Sequence, residues 1–328
     1  MASQRPERGS RTSERPSGPS ASGAGLAIIH NPQAGREGVD VERLRALVRG
    51  RGAVFSTEEE GLVDAVAEGA AERGVQTVGV IGGDGTAGRV LRALHTAFGD
   101  APMPRIALLR GGTMNTLANA IEVPKLAPER LLERLVQRPG LPVYERATLR
   151  VDGRLGFLFS AGIMSGFLET LYAEGRGDAI QALGLLARGS LETLFGGKLL
   201  RKMETPLTAT LSLDGEREPT RRYVALGAGT VETVGLGFRP YPRTTERLDR
   251  FQAFAFHGSV QTLARELPRI RRGQRVAPEL GLSPLVQTLE IDAEPEQTNF
   301  TYALDGDLHQ ARSPLRVELG PTVRLVAL

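Results

Sequence analysis

The first half of this chain carries the same arrangement in three places: an apolar segment, a loop that contains glycine, and then a helical pattern. The apolar segments are residues 26–30, 77–81 and 106–109, and each has the length of a buried strand. Strands that alternate with helices predict a parallel sheet covered on both faces. Such sheets bind ligands at the carboxyl ends of their strands, where all three loops fall.

The pattern changes after residue 139, where alternating apolar segments are joined by Asp-Gly pairs at 152–153 and 214–215. Asp-Gly in this setting is a signal for an antiparallel hairpin. We therefore predict an α/β plus all-β chain, with an α/β domain at 25–139 and a β-rich domain at 140–328. The segments expected to be strands are 143–151, 154–160, 207–213, 221–228, 286–292, 299–304, 315–319 and 322–327. Helical stretches are expected at 165–200 and near 259–271.

Composition excludes several classes of function. The 328 residues include no cysteine, so disulfides, thiolate metal sites and cysteine nucleophiles are ruled out. The net charge of +3 gives no argument for nucleic acid as a partner. No apolar stretch approaches the ~18 residues that cross a membrane. Residues 1–24 are rich in Ser, Pro, Gly and Arg, so we predict a disordered tail.

The strongest local signal is the segment Gly82-Gly83-Asp84-Gly85-Thr86. Adjacent glycines between a strand and a helix let backbone N–H groups converge on a phosphate. Asp84 can orient a metal or a ribose hydroxyl, and Thr86 can donate to a phosphate. The same residues also fit a tight turn in which Thr86 is only the N-cap, and for this loop alone both interpretations stay open.

Two further segments add to this signal. Gly111-Gly112-Thr113-Met114-Asn115 has the same character one strand later, and two such loops at neighbouring strand ends favour a phosphate cradle. Asp305-Gly306-Asp307 offers two carboxylates that could deprotonate and position an alcohol. The alternative is an ordinary turn, because the chain has two other Asp-Gly turns.

Taken in order, Asn31-Pro32…Gly35, Gly82–Thr86, Gly112-Thr113…Asn115 and Asp305-Gly306-Asp307 make the chain from Leu26 onward resemble a known family. This is the bacterial diacylglycerol kinase family, which includes soluble lipid kinases and is similar to sphingosine kinases. The resemblance implies a nucleotide-binding α/β domain of the NAD kinase and diacylglycerol kinase type, followed by an antiparallel β-sandwich-like domain. The Gly-Gly-Asp-Gly-Thr element is shared with NAD kinases and phosphofructokinases.

The resemblance also implies roles for individual residues. ATP would lie between the domains, and the family's catalytic carboxylate falls on Asp307, with Asp305 beside it. The residues that match nucleotide-binding positions are Asn31, Gly35, Thr57, Gly82, Gly83, Asp84, Gly85, Thr86, Gly88, Gly112, Thr113 and Asn115. A magnesium ion of the second domain would be held by the side chain of Asp249 and by main-chain oxygens of Glu246 and Phe251.

Three positions depart from the family pattern. Thr116 stands where a second acid usually follows the Gly-Thr-x-Asn segment. Asp307 replaces a glutamate, which should be tolerated because a shorter carboxylate still serves as a base. Asp249 lacks the acidic neighbour and the glycine of the family's magnesium segment, so the match is weakest there.

From these residues we expect an ATP-dependent lipid kinase that uses Mg²⁺ and phosphorylates a hydroxyl of diacylglycerol or a related lipid, including sphingoid bases. We expect a cytoplasmic protein that associates peripherally with the inner membrane surface, does not bind nucleic acid and is compatible with a homodimer. The alternatives are an NAD kinase-like enzyme with a soluble substrate and a lipid- or nucleotide-binding protein without turnover.

Two features of the second domain bear on lipid contact. The arginines at 269, 271, 272 and 275 either meet anionic headgroups or form a solvated helix end, and the solvated helix end is the more ordinary explanation. Residues 180–200 form either a lipid-contacting lid or a packed helix, and the packed helix is slightly favoured.

Overall fold

The protein is described by a computed structural model that covers residues 25–34, 38–58, 61–112, 115–138, 140–173, 205–234 and 237–328. The helices are α1 Val41–Val48, α2 Leu62–Glu72, α3 Asp84–Phe98, α4 Thr116–Ala120, α5 Pro128–Gln137, α6 Ile163–Ala173 and α7 Val260–Arg271. The strands are β1 Leu26–His30, β2 Gly52–Ser56, β3 Thr77–Ile81, β4 Arg105–Leu108, β5 Val143–Val151, β6 Arg154–Gly156, β7 Leu158–Gly162, β8 Leu207–Leu213, β9 Glu216–Arg217, β10 Arg221–Tyr223, β11 Ala225–Gly229, β12 Phe251–Phe256, β13 Gly281–Leu282, β14 Leu285–Val286, β15 Thr288–Ala293, β16 Asn299–Leu304, β17 Asp307–Arg312 and β18 Leu315–Val326.

The first half of the chain forms the predicted parallel sheet, with strand order β4-β3-β1-β2. Every residue of β3 is buried, as expected for a central strand with helices packed around it. The strand β2 was not predicted from the sequence. Its residues are only half-buried, because β2 lies at the edge of the sheet, and its apolar pattern is correspondingly weak.

The last strand of the chain returns to this first sheet. β18 pairs antiparallel with β5 and β15, and at Leu325 it pairs in parallel with β4, so one sheet of 11 strands runs through both halves. Val323, Leu325 and Val326 are buried in the same core as β1 and β3. A domain boundary at residues 139/140 therefore assigns residues 323–328 to the second domain, although these residues complete the core of the first half.

The second half is a sandwich, because a second sheet of seven strands packs on the antiparallel part of the first. Its main order is β13-β12-β11-β7-β16-β17, with β14 paired to β12. The chain passes between the two sheets at Phe157, Val224 and Gln287. The segments 154–160 and 221–228, which the sequence predicts as continuous strands, are each split at such a crossover.

Each predicted Asp-Gly hairpin is present, with both turn residues in the left-handed region. Asp152 and Asp214 have φ values of 48° and 51°, as a two-residue hairpin turn requires.

Two long strands, β12 and β17, were not predicted from the sequence. The core between the two sheets holds large side chains such as Tyr302 and Phe159, both fully buried.

The outer face of the seven-stranded sheet is covered by helices and by the described residues of the loop 230–250, which are 230–234 and 237–250. One buried cluster joins the sheet to Ile163 of α6, to Val260 and Ile270 of α7, and to Tyr241 of this loop.

In the described part of the chain, no helix is both long enough and apolar enough to cross a bilayer. The predicted tail at 1–24 and the segment 180–200, predicted to be either a packed helix or a lid, lie outside the described residues.

We predict that Leu325→Ala lowers the free energy of unfolding by about 2–5 kcal/mol, because a fully buried leucine leaves a cavity in the first core. Urea denaturation measures this change. Leu126→Ala is the matched control, since Leu126 is 39% exposed and its loss should change the unfolding free energy by less than about 1 kcal/mol. Equal effects of the two substitutions would contradict the placement of β18.

Candidate active site

The loops that follow β3 and β4 lie against each other, backbone to backbone. A Cβ on Gly112 would lie 2.2 Å from the Cα of Gly83, and one on Gly111 would lie 2.5 Å from the N of Gly82. The N–H of Gly111 also donates to the carbonyl of Gly82 at 2.9 Å. Side chains therefore do not fit at these positions, and the two predicted loops form a single unit.

Asp84 ties this unit to the next helix. Its carboxylate accepts from the N–H of Thr116 at 2.9 Å and from the N–H of Leu117 at 3.0 Å. These are amides of the first turn of α4, which a helix cannot satisfy internally. Asp84 thus caps α4 and fixes the second glycine loop against the first.

The first glycine loop also contacts the end of β1. The side-chain amide of Asn31 donates to the hydroxyl of Thr86 at 2.9 Å, and a Cβ on Gly82 would lie 2.5 Å from that hydroxyl. Gly83, and not Thr86, is the N-cap of α3, and no side chain caps this helix. The interpretation of Thr86 as the N-cap is therefore wrong.

Asn115 closes the second loop. It has a φ of 48°, and its side-chain oxygen accepts from the N–H of Gly112 at 3.2 Å while its amide donates to the carbonyl of Gly112. Thr57 follows β2, and its N–H donates to the carbonyl of His30, beside Asn31. Of the predicted nucleotide residues, Gly35 and Thr113 lie outside the described chain.

The hairpin between β16 and β17 brings Asp305 and Asp307 onto the first turns of α3. A Cβ on Gly85 would lie 3.8 Å from a carboxylate oxygen of Asp307, and a Cβ on Gly88 would lie 3.9 Å from one of Asp305. These distances are ordinary van der Waals contacts. The two signals that the sequence places in different halves of the chain thus meet in one cleft.

Asp305 is held at a crossover between the two sheets. One of its carboxylate oxygens accepts from the N–H groups of Phe157 and Leu158, both at 2.9 Å. A Cβ on Gly156 would lie 2.7 Å from its other oxygen, so glycine is needed there. The guanidinium of Arg92 on α3 lies 3.9 Å from the carboxylate of Asp307.

Burial raises the pKa of Asp305 to about 7. The two amide donors of Phe157 and Leu158 oppose this rise, the negative charge of Asp84 adds to it, and Arg92 opposes it. A carboxyl that titrates close to neutral pH beside a second, half-exposed carboxyl is an arrangement typical of proton-transfer sites.

Of the residues assigned to a magnesium ion in the second domain, Asp249 and Glu246 have carboxylates that are engaged by arginines. Both oxygens of Asp249 accept from the guanidinium of Arg247, at 2.9 and 2.6 Å. The carboxylate of Glu246 accepts from Arg243. Within the described residues, no group of three acidic or histidine side chains could hold a metal. Arginine already supplies the positive charge that these carboxylates need.

Sequence reasoning missed three contributors to the cleft: Gly156, Arg92 and Arg110. The backbone of Arg110 lies in the left-handed region, with a φ of 46°. Its buried side chain donates to the carbonyl of Val123, and burial lowers its pKa. Nothing in the local pattern around these residues distinguishes them. Their importance follows from contacts with residues distant in sequence.

We predict that the stability difference between the wild type and Asp305→Asn depends on pH. Because the pKa of Asp305 is raised to about 7, the folded protein keeps a proton that the unfolded chain has lost above about pH 4. The unfolding free energy of the wild type should therefore fall, relative to Asp305→Asn, as pH rises from about 5 to about 7, and should change little above that. Urea denaturation across this range measures it.

Asp214→Asn is the matched control for this experiment. Asp214 occupies the same kind of turn and accepts from the N–H groups of Gln287 and Thr288. Burial alone would raise its pKa, but these two bonds and Arg250 outweigh burial and lower it. Asp214 is then ionised throughout, so its difference from the wild type should be flat in this range. A flat profile for Asp305→Asn would contradict the assignment.

We predict that Gly112→Ala destabilises the protein by about 1–3 kcal/mol, because the new methyl group meets backbone atoms that cannot move away. Thermal or urea unfolding measures this loss. Gly140→Ala is the matched control, because a Cβ there meets nothing within 4 Å. A stable Gly112→Ala variant would show that the loops can separate.

Comparison with known proteins shows which family and which fold the chain resembles. Residues 25–143 match the diacylglycerol kinase catalytic domain. The "Probable lipid kinase YegS-like" protein of Xanthomonas campestris pv. campestris (strain 8004) is 30% identical over 208 residues, which are 62% of each chain. The matched region thus covers less than two thirds of that relative.

Solved structures resemble the fold over nearly its whole length. A diacylglycerol kinase from Bacillus anthracis str. Sterne matches with a TM-score of 0.66 and 16% identity, covering 92% of this chain and 96% of its own. Two other chains from the same organism give TM-scores of 0.71 and 0.69 at 17% identity. Residues 25–143 are thus similar to the diacylglycerol kinase catalytic domain, and the chain as a whole has the fold of the diacylglycerol kinase structures.

Proposed function

We propose that this protein transfers the γ-phosphate of Mg–ATP to a hydroxyl of a lipid, with diacylglycerol or a related lipid as the acceptor. The observation that carries the proposal is the contact of the Asp305–Asp307 hairpin with the first turns of α3, beside the paired glycine loops. The domain match over residues 25–143 supports it, as does the relative whose name includes lipid kinase.

The nucleotide side of the cleft is built from backbone. The 15-residue helix α3 begins at Asp84 without a side-chain cap, so its first N–H groups and its dipole are suited to a phosphate. The carboxylate of Asp84 would repel a phosphate if it were free. It is instead bound by the amides of α4, and its charge is partly neutralised there.

The acceptor side is Asp307, whose side chain is 47% exposed and can reach a bound hydroxyl. In the transfer, the lipid oxygen forms a bond to the γ-phosphorus while the bond from phosphorus to the β–γ bridging oxygen breaks. ADP leaves with that oxygen, and the hydroxyl proton passes to the carboxylate of Asp307. Such a step depends mainly on positioning and on neutralising charge.

Asp305 and Arg92 act as positioning residues in this scheme. Asp305 is bound to the crossover amides of Phe157 and Leu158, so it fixes the hairpin that carries Asp307. Arg92 lies between α3 and the hairpin, close to Asp307. Its positive charge holds the carboxylate near the place where the γ-phosphate would lie.

Magnesium enters this proposal as part of the Mg–ATP substrate, where it neutralises phosphate charge. Among the described acidic residues of the cleft, Asp84 is engaged by α4 and Asp305 by the crossover. Asp307 is thus the carboxylate left to contact the substrate.

A lipid acceptor also requires contact with a membrane surface, so a cytoplasmic location with peripheral association is part of the proposal.

The test is transfer of labelled γ-phosphate from Mg–ATP to diacylglycerol, monoacylglycerol, phosphatidylglycerol, sphingosine, ceramide and NAD. We expect label in one lipid, and a kcat lower by about 100-fold or more in Asp307→Asn, because loss of a general base typically costs 10²–10⁴-fold. Asp292→Asn is the matched control, since Asp292 is 50% exposed and also paired with an arginine. Its kcat should equal that of the wild type.

Two results would overturn the proposal. Label in NAD and in no lipid would identify a soluble-substrate kinase that uses the same loops. ATP binding that is unchanged in Asp307→Asn, with no labelled product from any acceptor, would identify a binding protein without turnover.

A further inference from the structure

One region of the second half is much more positive than the chain as a whole. Residues 230–276 contain nine arginines and four acidic residues, a surplus of five positive charges, whereas the whole chain has a net charge of +3. The rest of the chain therefore carries a net negative charge. Such an imbalance within one protein marks a surface suited to anionic partners.

The loop 230–250 leaves the seven-stranded sheet at the end that carries the Asp305–Asp307 hairpin. β11 and β16 both end there, opposite neighbouring residues of β7. The N–H of Thr230 donates to the carbonyl of Phe157 at 3.0 Å, and the N–H of Phe157 donates to Asp305. Two hydrogen bonds thus connect the start of this loop to the candidate active site.

The last turn of α7 meets the same loop. The N–H of Arg239 donates to the carbonyl of Ile270 at 3.2 Å, and the guanidinium of Arg271 lies 5.8 Å from the centre of the Phe238 ring. The two segments therefore share one surface. We call their arginines the arginine patch: Arg239, Arg243, Arg269, Arg271, Arg272 and Arg275.

Acidic neighbours neutralise only part of the arginine patch. Three of its six members form salt bridges with a glutamate. Arg271 and Arg272 are exposed and have no salt bridge to an acidic residue of the described chain. Leu248, in the same loop, is 45% exposed. Guanidinium groups without an acidic partner, together with an exposed apolar side chain in the adjoining loop, are suited to a surface of phosphate headgroups over hydrocarbon.

We propose that the arginine patch docks this protein on an anionic bilayer, with the Asp305–Asp307 hairpin at the docked end of the sheet. Binding through this end would bring a lipid hydroxyl to Asp307 without removing the lipid from the membrane. The link to turnover rests on the proposed lipid kinase function. The binding itself does not, and it can be measured without any reaction.

The test is sedimentation with vesicles of phosphatidylcholine alone or with about 30% phosphatidylglycerol. We expect the wild type to bind the anionic vesicles and to be released by about 0.5 M NaCl, because salt screens such contacts. The double variant Arg271→Glu with Arg272→Glu should bind at least about 25-fold more weakly, at about fivefold for each arginine lost. An unchanged melting temperature establishes that the variant is folded.

The matched control is Arg43→Glu with Arg49→Glu, which makes the same charge change at exposed positions on and beside α1. Its vesicle binding should stay within about twofold of the wild type. Equal weakening of both double variants, or no binding of the wild type to anionic vesicles, would overturn the proposal. So would a patch variant that keeps vesicle binding and loses affinity for a short DNA duplex.

A phosphorylation assay distinguishes failure of the docking proposal from failure of the proposed kinase function. Patch-dependent vesicle binding by a protein that phosphorylates no lipid would uphold docking and reject the kinase. Phosphorylation of a dispersed short-chain lipid at equal rates by the wild type and the patch variant, with vesicle phosphorylation lost only in the variant, would uphold both.

Discussion

The pairing of β18 with strands of the first half determines how the two halves of the chain are placed against each other. Because β18 pairs with β4 at one end and with β5 and β15 along its length, the parallel and antiparallel parts share one sheet. Movement of one part against the other would break this ladder and expose Leu325. The hairpin therefore meets α3 because of sheet geometry, and this contact does not need a large interface between separate domains.

The sequence alone predicted the parallel strands β1, β3 and β4 and the Asp-Gly turns, because these depend on neighbours within a few residues. It did not predict the crossovers at Phe157 and Val224. Both residues are buried, so the apolar pattern continues through them while the chain changes sheets. The meeting of Asp305 with Gly88 joins distant parts of the chain, and only the family resemblance indicated it.

Asp214 and Asp305 show why a local motif does not determine chemistry. Both lie in Asp-Gly turns, and both accept from two consecutive N–H groups at a crossover between the sheets. Their pKa values nevertheless move in opposite directions. Asp214 also binds Arg250 at 2.7 Å, whereas burial dominates at Asp305. The difference comes from residues brought together by the fold, which the Asp-Gly pair itself does not reveal.

The crossover bonds of Asp305 also bear on how this protein could change over evolution. Phe157 and Leu158 turn their amides to Asp305 at a corner of the sandwich, so this carboxylate is a structural fastener as well as part of the cleft. The carboxylate of Asp307 makes no such bond to a crossover amide in the described chain, and its side chain is half-exposed. If the proposed phosphoryl transfer were lost in a descendant, Asp307 could be replaced, whereas folding would still select for Asp305. Retention of the first aspartate alone would then mark a relative that kept the architecture and lost the proposed reaction.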